Sequence, residues 1–475
     1  MARAARKERE IHVQEIPDPW PHQADTTRRL VQSPILFDFG DPGVGKTRSQ
    51  LDAFAQLRKP GERLLVLCPK TLMMSAWGYD IEKFTPHLTF SLATAERREE
   101  AFQMPTDVVI MNHDGVKWFF EKGKPIAARV KYLKGFTDLV IDEVNAFKHA
   151  TSQRSKDMAK LRKYFKRRRA LSGTPNPNTV MELWHPTLIL DDGKRLGTSY
   201  YKLRNTVQVP TQVGPSPDHL RWDDKPGAVQ AINELLADIT VRHAFEDVMT
   251  HVPPNHRNFK TFQLSPRAKQ IYARMEQEAI VAFDDGVVSA VHAASLRTKL
   301  LQIASGAVYD GTGEGSYKLV DTARYELVAD LVEERKHSVV FFNWTHQRDQ
   351  LSQMFDKRDI RFAVIDGSTP DRDRADIVEA YQAGKYDTLL LHPRTGAHGL
   401  TLTRGDTTIF TSPIYEADLL KQAIHRIYRG AQDKVTNTIL IEAEGTVERA
   451  VYERLDGKYA QMADLLDLMK QRNKP

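Results

Sequence analysis

Short apolar runs alternate with longer amphipathic stretches over most of this chain of 475 residues. In the first block, from residue 20 to about 190, the apolar runs are 35–39, 64–68, 108–111, 139–141 and 170–171. In a second block, from about 321 to 458, they are 339–342, 362–365, 388–391, 408–410 and 438–441. Such alternation is typical of doubly wound parallel sheets with helices on both faces. The pattern therefore predicts an α/β protein with two sheet-based lobes.

The stretch between the two blocks has a different pattern. Helical patterns at 228–238 and 266–283 are separated by turns rich in proline and glycine, and a glycine-rich segment, 311–315, is suited to a flexible connection. We therefore predict a helical insertion between the lobes. The expected domains are a basic extension (1–19), a first lobe (20–190), the insertion and linker (191–315) and a second lobe (316–475).

Composition narrows the class of protein. Apolar residues at 41% and charged residues at 27% are ordinary globular values, which exclude wholesale disorder. The sole cysteine, Cys68, cannot form an internal disulfide, and no segment approaches the length that spans a bilayer. We expect a soluble protein of the cytoplasm. The formal net charge of +6 permits a polyanionic partner without requiring one.

The segment 40–47, GDPGVGKT, follows an apolar run and precedes a helix-like stretch. This is the context of a phosphate-binding loop, in which Gly43 and Gly45 allow backbone N–H groups to curl around phosphate oxygens. In such a loop Lys46 reaches the β- and γ-phosphates, and the hydroxyl of Thr47 ligates Mg²⁺. The sequence thus predicts a site for a nucleoside triphosphate.

An acidic pair follows the apolar run 136–141, at the strand end where α/β sheets carry their chemistry. Phosphoryl transfer needs one acid to hold the metal and a second to orient or deprotonate the attacking water. Asp142 and Glu143 supply both, and we predict them to be catalytic.

Ordered blocks along nearly the whole chain, from about residue 20 to 452, resemble the motifs of the Swi/Snf-type ATPases of helicase superfamily two. These blocks are 20–23 (the adenine-reading Q motif), 67–70 (Ia), 109–112 (Ib), 170–176 (III), 339–345 (IV), 394–402 (V) and 422–432 (VI). The resemblance implies two tandem RecA-like lobes, ATP and Mg²⁺ as cofactors, and an ATPase stimulated by nucleic acid.

The resemblance also assigns roles to individual residues. Gln23 and Gln422 are expected to bind the nucleotide, and Arg426 and Arg429 to act as arginine fingers, Arg429 being the principal one. Because the two arginines are spaced three residues apart, we predict that they share one face of a helix. The expected coupling residues are Ser172, Thr174 and Gly399. The expected contacts to nucleic-acid phosphates are Lys70, Asn112, Thr345, Arg394 and Thr395.

Several features depart from the family pattern or add to it. The family usually has two acidic residues and a methionine where this chain has residues 40–42, and a histidine where it has Asn145. A basic run, Lys163 with residues 166–169, is interpreted as a solvated helix face, with DNA contact as the alternative. His243, His251 and His256 lack partners at metal spacing, so no structural zinc is expected.

The leading functional hypothesis is a DNA translocase or helicase that couples ATP hydrolysis to movement on duplex or branched DNA. We expect the protein to be a monomer and to have no membrane partner. It would serve branch migration, fork remodelling or annealing, as in the compact bacterial, phage or annealing-helicase branch of the family. Two alternatives stay open: a strand-separating RNA or DNA helicase, and an ATP-gated clamp or scaffold that binds nucleic acid.

Overall fold

The computed structural model describes residues 16–120, 129–173, 179–212, 219–284, 290–309, 316–396 and 400–457. Two parallel sheets organise this part of the chain, one in each of the expected lobes. The segments 1–15 and 310–315, together with Thr174 and Gly399, lie outside the described residues.

The first lobe is built on a seven-stranded sheet in the order β3-β4-β2-β5-β6-β1-β9, in which all neighbouring strands are parallel. Its strands are β1 (Ile35–Asp38), β2 (Arg63–Cys68), β3 (Phe90–Ala93), β4 (Val108–Asn112), β5 (Phe136–Ile141), β6 (Arg167–Leu171) and, after the hairpin β7 (Gln208–Gln212) and β8 (Leu220–Asp224), β9 (Thr240–Val241). The helices in this part are α1 (Pro21–Gln32), α2 (Lys46–Leu57), α3 (Tyr79–Phe84), α4 (Arg98–Gln103), α5 (Gln153–Leu161), α6 (Trp184–Asp191), α7 (Tyr200–Val207), α8 (Ala228–Leu236) and α9 (Phe245–Val248).

The second lobe is built on a six-stranded parallel sheet in the order β10-β17-β16-β13-β15-β14. Its strands are β10 (Asn255–Phe262), then, after the small antiparallel pair β11 (Ala307–Tyr309) and β12 (Tyr317–Leu319), β13 (Ser338–Phe341), β14 (Phe362–Ile365), β15 (Thr388–Leu391), β16 (Thr407–Phe410) and β17 (Thr436–Ala443). The helices are α10 (Pro266–Asp284), α11 (Ala290–Ala304), α12 (Ala323–Glu334), α13 (Thr345–Lys357), α14 (Asp371–Gln382), α15 (Pro393–Gly396) and α16 (Ala417–Ile424).

Each sheet is covered by apolar side chains on both faces. In β5, Leu139 and Ile141 pack into one core cluster, while Val140, pointing the other way, packs into a second cluster. In β13, Val339 packs into one core cluster and Val340 packs into another on the opposite face. Burial on both faces explains why these strands are continuous apolar runs without alternation. The predicted fold class, two tandem RecA-like lobes, is confirmed.

The stretch 191–315 contains more strand than its pattern predicted. Strand β9 extends the first sheet beside β1, and β10 extends the second sheet beside β17. Strand β9 has only two residues, too few to show any periodicity, and most of β10 is exposed and polar. Both strands lie at sheet edges, where tertiary pairing determines strand formation more than residue preference does. The exact boundaries at 191 and 315 stay a prediction.

The interpretation of the basic run as a solvated helix face is wrong for its last part, residues 167–169, and so is the alternative of DNA contact there; Lys163 and Lys166 are exposed. Residues 167–169 begin β6, inside the first sheet, and Arg169 is fully buried. The carboxylate of Asp138, on neighbouring β5, accepts two hydrogen bonds of 2.7 Å from Arg167 and lies 3.4 Å from Arg169. Arginines can occupy a buried strand only when such a carboxylate compensates their charge.

None of the helices in the described ranges combines the length and apolar character that crossing a bilayer requires.

The linker histidines contribute to contacts around the first lobe and between the lobes. A ring nitrogen of His243 lies 2.9 Å from Thr26 Oγ1, and Nε2 of His251 lies 2.9 Å from the carbonyl oxygen of Gly430.

Candidate active site between the two lobes

The phosphate loop lies between β1 and α2, as predicted. Gly43 and Gly45 have φ angles of 88° and 75°, in the left-handed region that favours glycine. A Cβ atom on Gly45 would overlap Nε2 of Gln23, so no other residue fits without displacement of that amide. The loop is therefore a closely packed turn that ends at the N-terminus of α2, where backbone N–H groups favour an anion.

Lys46 and Thr47 begin α2. The ammonium group of Lys46 donates hydrogen bonds to the carbonyl oxygens of Gly40 (2.7 Å) and Asp41 (3.1 Å). These contacts hold the lysine at the mouth of the loop. Thr47 follows in the first helical turn and is half-buried. The loop, a cation and a hydroxyl are thus placed where a triphosphate with its metal ion fits.

Gln23 lies against the phosphate loop. Its Oε1 accepts a hydrogen bond from the N–H of Trp20 (2.9 Å), and its Nε2 donates to the carbonyl oxygen of Gly45 (3.1 Å). The amide therefore ties the start of α1 to the loop. Its predicted contact with adenine stays a prediction.

The acidic pair follows β5 directly. Asp142 Oδ1 accepts a hydrogen bond from the N–H of Glu143, and Oδ2 accepts one from the indole Nε1 of Trp77, each 3.0 Å long. Burial, together with the charge of Glu143, raises the pKa of Asp142 to about 6. Burial also raises the pKa of Glu143, whose backbone is left-handed with φ of 51°. A buried carboxylate and its half-buried neighbour, whose ionised forms are both disfavoured, make a donor set that suits a divalent cation.

The prediction that Arg426 and Arg429 share a helical face is wrong. Helix α16 ends at Ile424, and both arginines lie in the tight turns that follow it, where the N–H of Arg426 bonds to the carbonyl oxygen of Ala423. Three-residue spacing along such a turn still brings the two guanidinium groups together. Each donates a 3.2 Å hydrogen bond to the carbonyl oxygen of Leu400.

The turn that carries the arginines lies next to the phosphate loop of the other lobe. A Cβ atom on Gly43 would be 3.6 Å from the Cα of Arg429. Burial and the charge of Arg429 lower the pKa of Arg426 to about 9, while the charge of Glu143 acts in the opposite direction. The turn after α16 therefore brings the backbone of Arg429 next to the phosphate loop and the charge of Arg426 within range of Glu143.

An ionic network that the sequence analysis missed joins the lobes at Asp41. Its Oδ1 lies 2.5 Å from Nζ of Lys421 on α16 and 2.8 Å from Arg242, and its Oδ2 accepts a 2.9 Å hydrogen bond from the N–H of Phe245. Burial alone would raise the pKa of Asp41, but Lys421 and Arg242 outweigh it and hold that pKa well below its usual range. The only sequence signal was the departure from the family pattern at residues 40–42.

Apolar packing reinforces the same interface. Trp20 from the start of the first lobe lies against the position that a Cβ of Gly430 would occupy, at 2.7 Å. A cluster joins the phosphate loop, the linker and the turn after α16; its buried members are Val44, Phe245, Met249, Val252 and Tyr428. The site is therefore formed with the two lobes in contact.

The remaining nucleotide and coupling candidates are only partly described. Gln422 is buried, and its Oε1 has no hydrogen-bond partner in the described part of the chain. The N–H of Ser172 bonds to the carbonyl oxygen of Asp38 at the end of β1. Next to it, a Cβ atom on Gly173 would lie 2.9 Å from Cδ of Pro42, so this backbone touches the phosphate loop. The predictions for Thr174 and Gly399 fall outside the described residues.

All five candidates for nucleic-acid contact line two cavities that share Thr395. Lys70 and Asn112 of the first lobe line a cavity of about 770 Å³ together with Thr395 of the second. Thr345 and Arg394 line a cavity of about 480 Å³ with Thr395. Three further arginines contribute to these walls: Arg98, Arg348 and Arg374. None of the three was among the expected contacts: Arg98 and Arg348 lie on helices outside the family motifs, and Arg374, which belongs to the block that follows motif IV, had no phosphate contact assigned to it.

Comparison with known proteins gives matches over most of the chain. Residues 23–305 match the family model described as SNF2-related domain, and residues 323–431 match that described as helicase conserved C-terminal domain. Putative protein p41 of Acyrthosiphon pisum secondary endosymbiont phage 1 is 26% identical, covering 96% of this chain and 99% of that protein.

Two further matches are to a mouse protein and to a solved structure. Chromodomain-helicase-DNA-binding protein 1-like of Mus musculus is 24% identical, covering 83% of this chain but only 43% of that protein, so this chain spans less than half of it. The solved structure of the Sulfolobus solfataricus SWI2/SNF2 ATPase core in complex with dsDNA is 21% identical, covering 95% of this chain and 93% of that one, with a TM-score of 0.43.

Proposed function

Since the chain belongs to the SNF2-related family of ATPases within helicase superfamily two, we propose that it hydrolyses ATP to move along duplex or branched DNA. Movement of this kind would serve branch migration, fork remodelling or strand annealing. The observation that carries the proposal is the proximity of Arg429, from the second lobe, to Gly43 of the phosphate loop in the first. A site divided between two lobes changes when the lobes move.

The residues of the cleft fit ATP and Mg²⁺. The tight glycine loop and the N-terminus of α2 suit the phosphates, and Lys46 supplies a cation beside them. Thr47 and Asp142 are the residues that would hold the metal, because a hydroxyl and a carboxylate are the oxygen ligands that Mg²⁺ prefers. The metal would neutralise charge on the phosphates during transfer.

The chain's own residues then have distinct tasks. Glu143, whose raised pKa favours proton uptake, is the proposed acceptor of a proton from the attacking water. Arg429 is the proposed principal arginine finger, which stabilises negative charge on the transferred phosphoryl group, and Arg426 supports it. Both come from the second lobe, so opening of the lobes would move them away from the phosphate loop of the first.

The cavities that contain Lys70, Asn112, Thr345, Arg394 and Thr395 supply a proposed track for DNA. The walls of the larger cavity come from both lobes and those of the smaller one from the second lobe. Their donors suit phosphate oxygens, which carry no base information. Closing and opening of the cleft would alternately tighten and release the two sets of contacts. The strand would thereby advance without any requirement that the duplex be separated.

The test compares ATPase rates with duplex DNA, forked DNA, single-stranded DNA and RNA at one salt concentration, because phosphate-dominated binding depends strongly on salt. We expect duplex or forked DNA to stimulate turnover most. Stronger stimulation by RNA would replace the proposed substrate class, and binding of nucleic acid without stimulation would favour the clamp or scaffold.

A further inference from the structure

The metal-binding candidate Asp142 is contacted by two buried side chains whose neighbours in the chain line the 770 Å³ cavity. The indole of Trp77 donates its hydrogen bond to Oδ2 of the carboxylate at 3.0 Å. Nε2 of His113 lies 2.7 Å from the backbone carbonyl oxygen of the same aspartate. Since a carbonyl oxygen only accepts, His113 must donate through Nε2–H.

The neighbours of Trp77 in the chain face the proposed DNA track. Lys70, Met74, Ser75 and Tyr79 line the 770 Å³ cavity, while Trp77, in the middle of this segment, is fully buried. One short segment therefore presents exposed residues to the track and one buried residue to Asp142. A strand that displaced residues 70–75 would also displace the indole.

The backbone of this segment has an unusual geometry. Residues Met73–Gly78 form a single π-helical turn, which continues directly into α3. Such turns are rare but frequent at functional sites, and their i→i+5 hydrogen bonds enclose one residue more than the i→i+4 bonds of an α-helix. A change from π-helical to α-helical hydrogen bonding would rotate Trp77 around the helix axis. Its N–H would then move away from Asp142. The π-turn is thus the place in this segment where a change of hydrogen bonding would move the indole.

A second connection starts from the other contact candidate of this lobe. Asn112 ends β4 and lines the same cavity, and His113 follows it immediately. The ring of His113 is fixed edge-on against Phe147, with centroids 5.4 Å apart. A shift at Asn112 would therefore reach the backbone of Asp142 through His113.

We propose that Trp77 and His113 are positioning residues that transmit nucleic-acid contact at segment 70–75 and at Asn112 to the metal-binding carboxylate of Asp142. This inference rests on the proposed function and names how the same site is regulated. Contact with DNA would set the orientation of the carboxylate, and hence the Mg²⁺ dependence and the rate of hydrolysis. Buried indole N–H groups need a partner in any core, so the test must separate positioning from packing.

The test uses Trp77→Phe, which keeps an aromatic ring but removes the N–H donor. Trp184→Phe is the matched control: Trp184 is also buried in the first lobe, and its Nε1 donates to the carbonyl oxygen of Gly197 at 3.1 Å. The measurements are ATPase rates of the full chain over a range of Mg²⁺ concentrations, with and without saturating duplex DNA, and the affinity for that DNA.

We expect Trp77→Phe to raise the half-saturating Mg²⁺ concentration about tenfold, as loss of an outer-shell partner does in metal sites. The stimulation by DNA should fall at least several-fold, with DNA affinity nearly unchanged. Trp184→Phe should change neither quantity. Wild-type Mg²⁺ dependence and stimulation in Trp77→Phe would overturn the inference, whatever its thermal stability.

A second pair of variants keeps the test decisive if Trp77→Phe does not fold. His113→Phe removes the donor, and His113→Gln restores one; we expect reduced stimulation in the first and recovery in the second. Equal stimulation in both would refute the relay. Failure of the proposed function is recognised separately, because the wild-type protein would then show no stimulation by DNA, while the Mg²⁺ shift in DNA-free Trp77→Phe would still report on the contact with Asp142.

Discussion

The ammonium group of Lys421 lies 2.5 Å from Oδ1 of Asp41, which joins α16 of the second lobe to the phosphate loop of the first. Arg242, from the linker, shares the same oxygen at 2.8 Å. Three segments that are far apart in the sequence thus meet at one buried carboxylate. Any motion that separates the lobes has to break the contact with Lys421 while Arg242 can stay in place.

Replacement of Asp41 and Lys421 should therefore have different consequences. Lys421→Met leaves Asp41 paired with Arg242, so we expect the lobes to separate while the first lobe stays stable. Asp41→Asn leaves the buried Arg242 and the half-buried Lys421 without their counter-charge and should also destabilise the protein, by about 3 kcal/mol. Small-angle scattering and denaturant titration distinguish the two effects. Lys357→Met, at an exposed position on α13, is the control. An unchanged radius of gyration in both test variants would contradict the role of Asp41 and Lys421 in holding the lobes together.

Arg429→Ala should lower ATP turnover by about 10³ or more, because an arginine finger acts on charge that develops in the transition state. Nucleotide affinity should be mostly intact. Arg358→Ala serves as control, since Arg358 pairs with Asp330 and Glu333 on the surface of the second lobe. The measurement is turnover beside equilibrium binding of a labelled nucleotide. Turnover near that of the wild type would assign the role elsewhere.

The Mg²⁺ requirement should depend on pH. The pKa of Asp142 is raised to about 6 by burial and by Glu143, so the metal-free carboxyl gains a proton as the pH falls through that value. A proton competes with the metal for the carboxylate, and the half-saturating Mg²⁺ concentration should rise about tenfold per pH unit below about pH 6. It should be nearly constant at neutral pH. A flat titration down to about pH 5, with circular dichroism showing a folded protein, would mean that the carboxylate stays ionised.

Asp138→Asn should destabilise the first lobe by about 3 kcal/mol, because it leaves Arg167 and the fully buried Arg169 without their shared counter-charge. Urea unfolding followed by tryptophan fluorescence measures the loss. Asp223→Asn removes an exposed carboxylate that pairs with Arg221 on the hairpin, and should leave unfolding nearly unchanged. Similar midpoints for the two variants would show that the buried pair contributes little.

The sequence predicted the structure correctly where the local residue pattern alone determines the local structure. Continuous apolar runs predicted the buried parallel strands, and the glycines with Lys46 predicted the phosphate loop. It was misleading where a partner distant in the sequence reverses the local preference. Arg169 is charged but lies in a buried strand, because Asp138 faces it from β5. Edge strands β9 and β10 form by pairing with β1 and β17, which no local pattern shows.

The candidate site likewise has residues that the sequence predicts and contacts that it does not. Asp142 and Glu143 could be predicted because they end an apolar strand, but the tertiary contacts of Asp41, Trp77 and Lys421 could not. Each of these depends on the approach of segments far apart in the chain. The helix expected around Arg426 and Arg429 ends early, at Ile424, yet the turn preserves their common direction.

The central claim is that ATP hydrolysis in the cleft drives movement along DNA. Displacement of the third strand from a DNA triplex, flanked by duplex, measures such movement without requiring strand separation. We expect the wild-type protein to displace the third strand only with ATP and Mg²⁺, and Arg429→Ala to displace none while still binding the duplex. Robust ATPase stimulation by duplex DNA without any displacement of the third strand would contradict the account.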